Sequence, residues 1–482
     1  MKKCFTLASA LVIIPALFLS FTSKGQKKEN LTDTYIVLGW NDLGMHCANK
    51  TFAKMCILPP YNNQFSHVIK VGNTTTLPEV QSVGSGVYVT YEVPGNTYSV
   101  GKTDFWTYVN TLFGVSLPPN IGLTGLGMAG TMHDSLNYFY AYGIPITPYT
   151  DANLVTEDPF QLTLLKAYDA GNNLLATTQN TIPVSNEISC VSSGCHNSEQ
   201  AILNEHENLP PFNNPPVFCA NCHADPALGM PGNGTTVYFS QAIHQKHGSI
   251  TNDCYKCHPG PNTHCLRGYM KIIGKTCTDC HGSVSNVGNT IASGRIPWVG
   301  EPQCGSCHDA NHSENPGKLY KLSTGHGGLF CEACHNSTHA EVTSENANDN
   351  LQNLTLQGFT GPLKKCEVCH GYVPAGPGPH GYNPLGIKPV SGTIPDASEL
   401  LQNYPNPSSF MTNIPYTIKD EGQVRLEVYD LFGNKIKTLL DAKLKPGEYK
   451  AELYTGKLSS GTYVCNLLTN GLTYQRKILV VN

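Results

Sequence analysis

Charge is scarce in this sequence: 14% of the 482 residues are Asp, Glu, Lys or Arg, and the formal net charge is −4. With no basic excess to neutralise phosphates, nucleic acid is not an expected partner. Long apolar runs are nearly missing as well. The single one, from Cys4 to Phe21, lies at the N-terminus. Leu, Ile and Val are thin between residues 190 and 372, and a stretch so poor in large apolar side chains cannot bury enough surface to stand alone. Against these shortages stand 19 cysteines and 18 histidines, with fifteen of the cysteines between Cys190 and Cys369. Such clustering excludes a plain cytosolic enzyme and points to a cofactor-loaded middle section.

The N-terminal run follows Lys2 and Lys3 and is succeeded by Ser23-Lys24-Gly25. A charged start, an apolar centre and a small-residue exit are the layout of a secretory signal peptide, here residues 1–25. A membrane anchor is the competing reading, which Pro15 and the small-residue exit disfavour. Cys4 stands at the start of the apolar run rather than after it, where a lipidated cysteine is not expected.

Residues 33–189 read as an all-β, sandwich-like domain. Thr34–Leu38, Gly86–Val93 and Phe160–Tyr168 are β-branched or aromatic runs separated by Gly, Asn and Pro turns. Residues 190–372 lose both periodicities and read as an irregular section with short helices, packed around cofactors. Residues 373–395 are a Pro/Gly linker. Residues 396–482 turn β-rich again, as a small sandwich: Val424–Tyr429 alternates strictly, Gly433-Asn434 marks a turn, and Lys435–Leu440 follows as the hairpin partner. The fold class is thus mixed and multidomain.

Cys-x-x-Cys-His occurs six times: Cys219/Cys222/His223, Cys254/Cys257/His258, Cys277/Cys280/His281, Cys304/Cys307/His308, Cys331/Cys334/His335 and Cys366/Cys369/His370. A variant with two extra residues, Cys190/Cys195/His196, opens the series. The motif is that of covalent haem attachment. Two thiols form thioethers with the vinyl groups on one side of a porphyrin, and the adjacent histidine supplies the proximal nitrogen to iron. Structural zinc needs paired units and no histidine after every second cysteine. A disulfide across two residues is a poor staple. The expectation is seven haems, with proximal ligands His196, His223, His258, His281, His308, His335 and His370.

Of the other eleven histidines, eight lie in this section or its linker: His206, His244, His247, His264, His312, His326, His339 and His380. Seven six-coordinate irons need seven distal ligands, so these eight are the candidates. His244 and His247 could serve two neighbouring haems. His312 and His339 each follow a proximal histidine by four residues, which on a helical turn puts them on its face. Among the remaining cysteines, Cys47 and Cys56 favour a disulfide, Cys265 an unpaired thiol, and Cys465 a place in a strand core. Met128, Met132 and His133 are better read as scattered core and loop residues than as a ligand cluster.

From Cys190 to His370 the motif series resembles multihaem c-type cytochromes, which mature outside the cytoplasm and mostly move electrons. The stretch Gly39-Trp-Asn-Asp-Leu-Gly-Met-His-Cys47, with Ile57–Asn62 and Gly143–Tyr149, is similar to a domain that precedes haem motifs in some secreted bacterial cytochromes. Leu401–Pro407, Val428–Gly433 and Ser459–Val464 closely resemble the type A sorting domain of the type IX secretion system. This resemblance implies export across the outer membrane, removal of that domain, and release or surface attachment.

The expectation is a secreted or cell-surface multihaem cytochrome relaying electrons through closely spaced haems, an electron carrier rather than a catalyst. Its partners would be redox proteins or extracellular acceptors and the type IX machinery, with self-assembly through haems an open option. The alternative is a multihaem oxidoreductase with one open iron, acting on a small nitrogen or sulfur compound. Against it, every motif ends in histidine, and the lysine-ligated variant typical of one nitrite reductase family is absent. A third reading makes the N-terminal β-domain a module that docks the haem section onto a surface or partner, which is compatible with the relay.

Overall fold

The computed structural model describes residues 34–186, 188, 190–206, 214–259, 263–374, 378–381, 388–391, 397–409 and 411–481. The expected signal peptide, with Cys4, and most of the linker lie outside them. Among the described residues no helix is long and apolar enough to cross a membrane.

The N-terminal part is built on two antiparallel sheets. One orders Tyr35–Trp40, Asn63–Lys70, Phe139–Tyr142 and His133–Asp134, with Glu79–Val80 added to the second strand; the other orders Leu174–Thr181, Leu162–Tyr168, Tyr88–Glu92 and Ala129–Thr131. Alternation decides which side chains go in. In Tyr88–Glu92 only Val89 and Tyr91 are buried, and in Leu162–Tyr168 only Thr163, Leu165 and Ala167. Val89, Tyr91, Leu165 and Ala167 meet Val37, Val68, Phe139 and Ile182 in one apolar cluster. Met128 and Met132 join it, and Cys465 is buried in the C-terminal core.

This region is mixed rather than all-β, because Phe105–Phe113 is a helix. Its aromatic and β-branched composition reads as strand, but Phe105, Val109 and Leu112 fall on one face at helical spacing and are buried, and Gly114 ends the helix at φ 68°. The expected Cys47–Cys56 disulfide is not formed. Cys47 lies in a short parallel pairing of His46–Cys47 with Val184–Ser185. Cys56 sits instead in an apolar cluster with Phe52, Phe105 and Phe218, where burial pushes its thiol well up, with Cys219 adding to the effect.

Residues 190–372 hold short helices, the longest being Phe239–His247, Val284–Ala292 and Ala347–Gln357. Among the described residues only nine apolar side chains are buried here, against 28 in residues 34–189. Four of the nine, Phe218, Ala220, Leu329 and Ala333, belong to clusters shared with the N-terminal part. The core missing from this section is therefore supplied partly by its neighbour. Strand Asn63–Lys70 shows the consequence: seven of its eight residues are buried. Val68 faces the sandwich interior, while Phe65 and Ile69 meet Leu329 and Ala333.

Polar ties lock this contact. Arg267 is held by Asp349 at 2.7 and 3.1 Å, donates to the Gly44 carbonyl at 2.9 Å, and lies 4.7 Å from the Phe160 ring centre. Gln352 Oε1 accepts from the Gly39 N–H at 2.7 Å, and Asn348 donates to the Phe160 carbonyl at 2.7 Å. Beneath Phe330, His67 Nδ1 donates to the Asn137 carbonyl at 2.8 Å, which leaves Nε2 to accept the Phe330 N–H at 3.1 Å.

The C-terminal part is a separate pair of four-stranded sheets. One orders Lys388–Ser391, Gly447–Tyr454, Met411–Ile418 and Glu399–Leu400; the other orders Lys435–Leu444, Gly422–Asp430, Gly461–Thr469 and Leu472–Val480. Val424, Leu426, Val428, Cys465 and Leu467 are fully buried between them. The expected hairpin is present, with Val428 opposite Lys437 and Gly433 at φ 85° in its turn.

Two outcomes follow. Asp349→Ala strands the Arg267 guanidinium, whose side chain is 4% exposed, and should cost about 3–5 kcal/mol in chemical denaturation. Burial holds His46 and His67 down at about 4, so the unfolded chain binds more protons below the ordinary imidazole value of about 6.5. Stability should be complete above that value and fall as pH drops toward 4, by about 1.4 kcal/mol per unit for each ring. His67→Gln should make that slope shallower in pH-dependent melting.

Candidate functional site

The seven motifs close by a common backbone device. The histidine N–H donates to the carbonyl of the first cysteine in Cys219–His223 (3.0 Å), Cys254–His258 (2.9 Å), Cys304–His308 (2.9 Å) and Cys366–His370 (2.8 Å). Cys277–His281 and Cys331–His335 are single helical turns. One turn brings both thiols and the imidazole together. The variant closes the same way, with the His196 N–H on the Cys190 carbonyl at 3.1 Å, and Gly194 at φ 78° takes up the extra length. No motif cysteine, Cys195 and Cys222 included, is joined in a disulfide.

Four motifs, those of Cys254, Cys277, Cys304 and Cys331, bring both cysteines and the histidine to the wall of a continuous cavity of 2310 Å³. That is more than twice the upper end of roughly 300–1,000 Å³ that suits one small ligand. The other three motifs depart from the expectation of one section packed alike around its cofactors. Of the variant, only Cys190 reaches the cavity; Cys195 and His196 do not, and Cys195 is exposed on the loop that Gly194 turns. Cys219, Cys222 and His223 all lie off the wall. Their turn is anchored on the N-terminal part instead, because its neighbours Phe218 and Ala220 enter the cluster around Phe52. The Cys222 carbonyl is taken by the Asn233 N–H at 3.0 Å and by the Thr236 hydroxyl, which commits that end of the turn to the following loop. Cys366, Cys369 and His370 also lie off the wall, where the Cys369 carbonyl accepts the Gly72 N–H at 2.9 Å.

Across the cavity and around it, imidazoles face one another in pairs. The ring centroids are 6.1 Å apart for His196 and His247, 6.4 Å for His223 and His206, and 6.0 Å for His258 and His244. They are 6.2 Å for His281 and His339, 5.8 Å for His335 and His380, and 5.9 Å for His370 and His326. Each pair joins one motif histidine to one of the other eight. A metal–imidazole bond is about 2 Å and the ring centre lies roughly 1 Å beyond the nitrogen, so two axial imidazoles on one ion stand roughly 6 Å apart. The residues present fit that requirement, on the cavity wall and off it.

Orientation agrees with spacing. The Nδ1 atoms of His206, His223, His244 and His247 bond the carbonyls of Leu203, Val237, Ser240 and Ile243 at 3.2, 2.8, 2.6 and 2.8 Å, and His380 Nδ1 bonds the Asn311 carbonyl. A carbonyl can only accept, so Nδ1 carries the proton and Nε2 keeps its lone pair for a metal. Burial also lowers the pKa of His258, His335 and His339 to about 4, and that of His244, His281 and His370 downward. These rings stay neutral and able to ligate at pH 7. Among the described residues, no three or more His, Cys, Asp or Glu side chains converge as a metal cage would need. Each pair could offer two imidazole nitrogens to one ion, whose remaining ligands would have to come from another group.

His244 and His247, both on helix Phe239–His247, face two different motifs. Cys254 and Cys277, from consecutive motifs, share a thiol hydrogen bond that raises the first and lowers the second, to about 6. Neighbouring sites therefore adjoin. The helical-turn expectation for His312 and His339 is not met: the Cys331–His335 turn ends at Asn336 with φ 69°, His339 sits in a loop at φ 72°, and His312 lies in a turn beside Asp309. His264 is not brought to a motif histidine; it stacks on Tyr255 at 4.2 Å.

Sequence reasoning missed how far the N-terminal part enters the site. Asp42, Leu43, Met45, His46, Tyr61 and Tyr142 line the cavity. A Cβ on Gly44, at φ 67°, would meet the Thr338 carbonyl oxygen at 2.2 Å. The only signal was the Gly39–Cys47 stretch, which carried no role.

Residues 402–481 match the family described as secretion system C-terminal sorting domain. The C-terminal part is a secretion sorting domain. It supports export, with an outer-membrane or cell-surface destination, and implies an interaction with the type IX secretion machinery. No curated protein matches the chain. A search of solved structures returns the dimeric latent PorU of Porphyromonas gingivalis at 12% identity and a TM-score of 0.17, covering 93% of this chain and 34% of that one. The chain thus spans about a third of that protein's length. Deleting residues 402–481 should stop the protein reaching the surface or medium and leave it in the periplasm, as read by cell fractionation.

Proposed function

We propose that the seven motifs carry covalently attached haem c and that the protein relays electrons outside the cell, between redox proteins or to an extracellular acceptor. The observation that carries this reading is the set of six imidazole pairs, 5.8–6.4 Å apart, each with a motif histidine on one side. The cysteines of each motif would hold the macrocycle, Cys195, Cys219, Cys222, Cys366 and Cys369 from positions beside the cavity rather than on its wall. His196/His247, His223/His206, His258/His244, His281/His339, His335/His380 and His370/His326 would hold the irons, and His308 the seventh.

When bound, haem with two imidazole ligands supplies one-electron chemistry at a lower potential than histidine–methionine ligation would give. The chain's own residues set the rest. Backbone carbonyls fix the tautomers and raise the basicity of the ligating nitrogens. Helix Phe239–His247 ties the Cys190 and Cys254 sites together from one rigid element. The wall formed by Asp42, Leu43, Met45 and His46, the close approach of Gly44 to Thr338 and His339, and Arg267, which takes the His339 carbonyl on its own N–H at 2.8 Å, hold His339 toward His281. Close spacing is what transfer from site to site needs, and the export that the sorting domain supports is consistent with a relay outside the cell.

The test is to purify the protein from a host that matures c-type cytochromes and measure haem by pyridine haemochrome and intact mass. Seven haems per chain are expected; a haem-free native protein would overturn the reading. His244→Ala and His247→Ala should each keep all seven haems and each lose one low-spin signal in electron paramagnetic resonance, with the double variant losing two. Loss of the same signal in both single variants would refute the pairing.

A further inference from the structure

Six motif histidines face a second imidazole; the seventh does not. Among the described residues no imidazole stands opposite His308. The two histidines left over are both engaged elsewhere. His264 lies against Tyr255 at 4.2 Å, with the planes 18° apart. His312, four residues beyond His308, turns its Nδ1 to Asp309 Oδ1 at 2.8 Å and stacks on His380 at 5.2 Å. His380 in turn is the ring that faces His335, so His312 is drawn toward the Cys331 site and away from its own motif.

The Cys304–His308 motif also differs in setting. It is a single short turn in which Cys307 and His308 are both exposed, and it borders the large cavity. Carboxylates flank it: Glu314 accepts the Gly305 N–H at 3.1 Å, and Asp309 follows His308 directly. Negative charge of this kind repels small anions and leaves neutral molecules unaffected.

Resting on the haem reading above, we infer that the haem on Cys304 and Cys307, ligated by His308, has an open sixth position that takes a small neutral ligand. The other six sites are closed by their own imidazoles. One opening among seven makes this motif the place where a small molecule would meet the electron relay, and it gives the oxidoreductase alternative a specific address.

Carbon monoxide is the probe, added to the dithionite-reduced, full-length holoprotein. About one-seventh of the haem should shift to a carbon monoxide spectrum, and the oxidised protein should show a high-spin signal of the same fraction. His264→Ala and His312→Ala should leave that fraction at one-seventh; a rise to two-sevenths in either would make that histidine a ligand and overturn the assignment. The Cys304→Ala/Cys307→Ala variant should carry six haems and bind no carbon monoxide. Persistent binding with six haems would place the opening elsewhere. If that variant does not mature, Glu314→Gln in the intact protein should let azide, a small anion, bind the same one-seventh more tightly by several fold; unchanged azide binding would overturn the location. Seven haems with no carbon monoxide binding would refute this inference and leave the relay standing, whereas absence of haem would refute the relay itself.

Discussion

A segment with only nine buried apolar side chains among its described residues must borrow its core, and the rest of the structure depends on how it does so. Part is borrowed from the N-terminal sheets. Phe218 and Ala220 enter the cluster around Phe52 and Phe105, while Leu329 and Ala333 enter the one around Trp40 and Phe65. Much of the remainder lines a cavity of 2310 Å³. On the haem proposal, macrocycles would share that space, with those of the Cys219 and Cys366 motifs beside it.

The borrowed contact is polar as well as apolar, and this makes it specific. Arg267 and Asp349 are buried together, so their attraction offsets two desolvation costs only in one geometry. Gly39, Gly44 and Phe160 of the N-terminal part supply backbone partners to Gln352, Arg267 and Asn348. The N-terminal region thus acts as one wall of the site rather than as a detachable module, with Asp42 to His46 facing the same cavity as the four central motifs.

Along the motifs a single geometric rule recurs: an imidazole on a one-turn closure, and a second about 6 Å away, several of these with Nδ1 tied to a carbonyl. Elements of quite different kinds deliver the second ring. Helix Phe239–His247 provides two, the end of helix Glu199–Asn204 one, and loops provide His339 and His380. Variety of delivery with constancy of spacing is what a common rigid guest would impose on an otherwise irregular chain. The exception at His308 stands out against that constancy.

The sequence by itself determined the motif histidines, the β-rich character at both ends, the C-terminal hairpin and the sorting domain. Each of these rests on local chemistry: adjacent residues, alternation, or a short turn such as Gly433. The helix Phe105–Phe113 was hidden because aromatic and β-branched residues favour strands until a tertiary face rewards helical spacing. Which histidine meets which motif was not legible, since His196 and His247 are brought together by the fold and not by any spacing. Nor was it legible that Cys195 and Cys222 stand off the cavity while Cys257 and Cys280, in the same motif position, line it. The same holds for Cys47 and Cys56, whose nine-residue separation suggested a bond that the strand pairings keep unmade. Partner choice depends on positions set by residues far away in the chain, and only the tertiary structure holds that information.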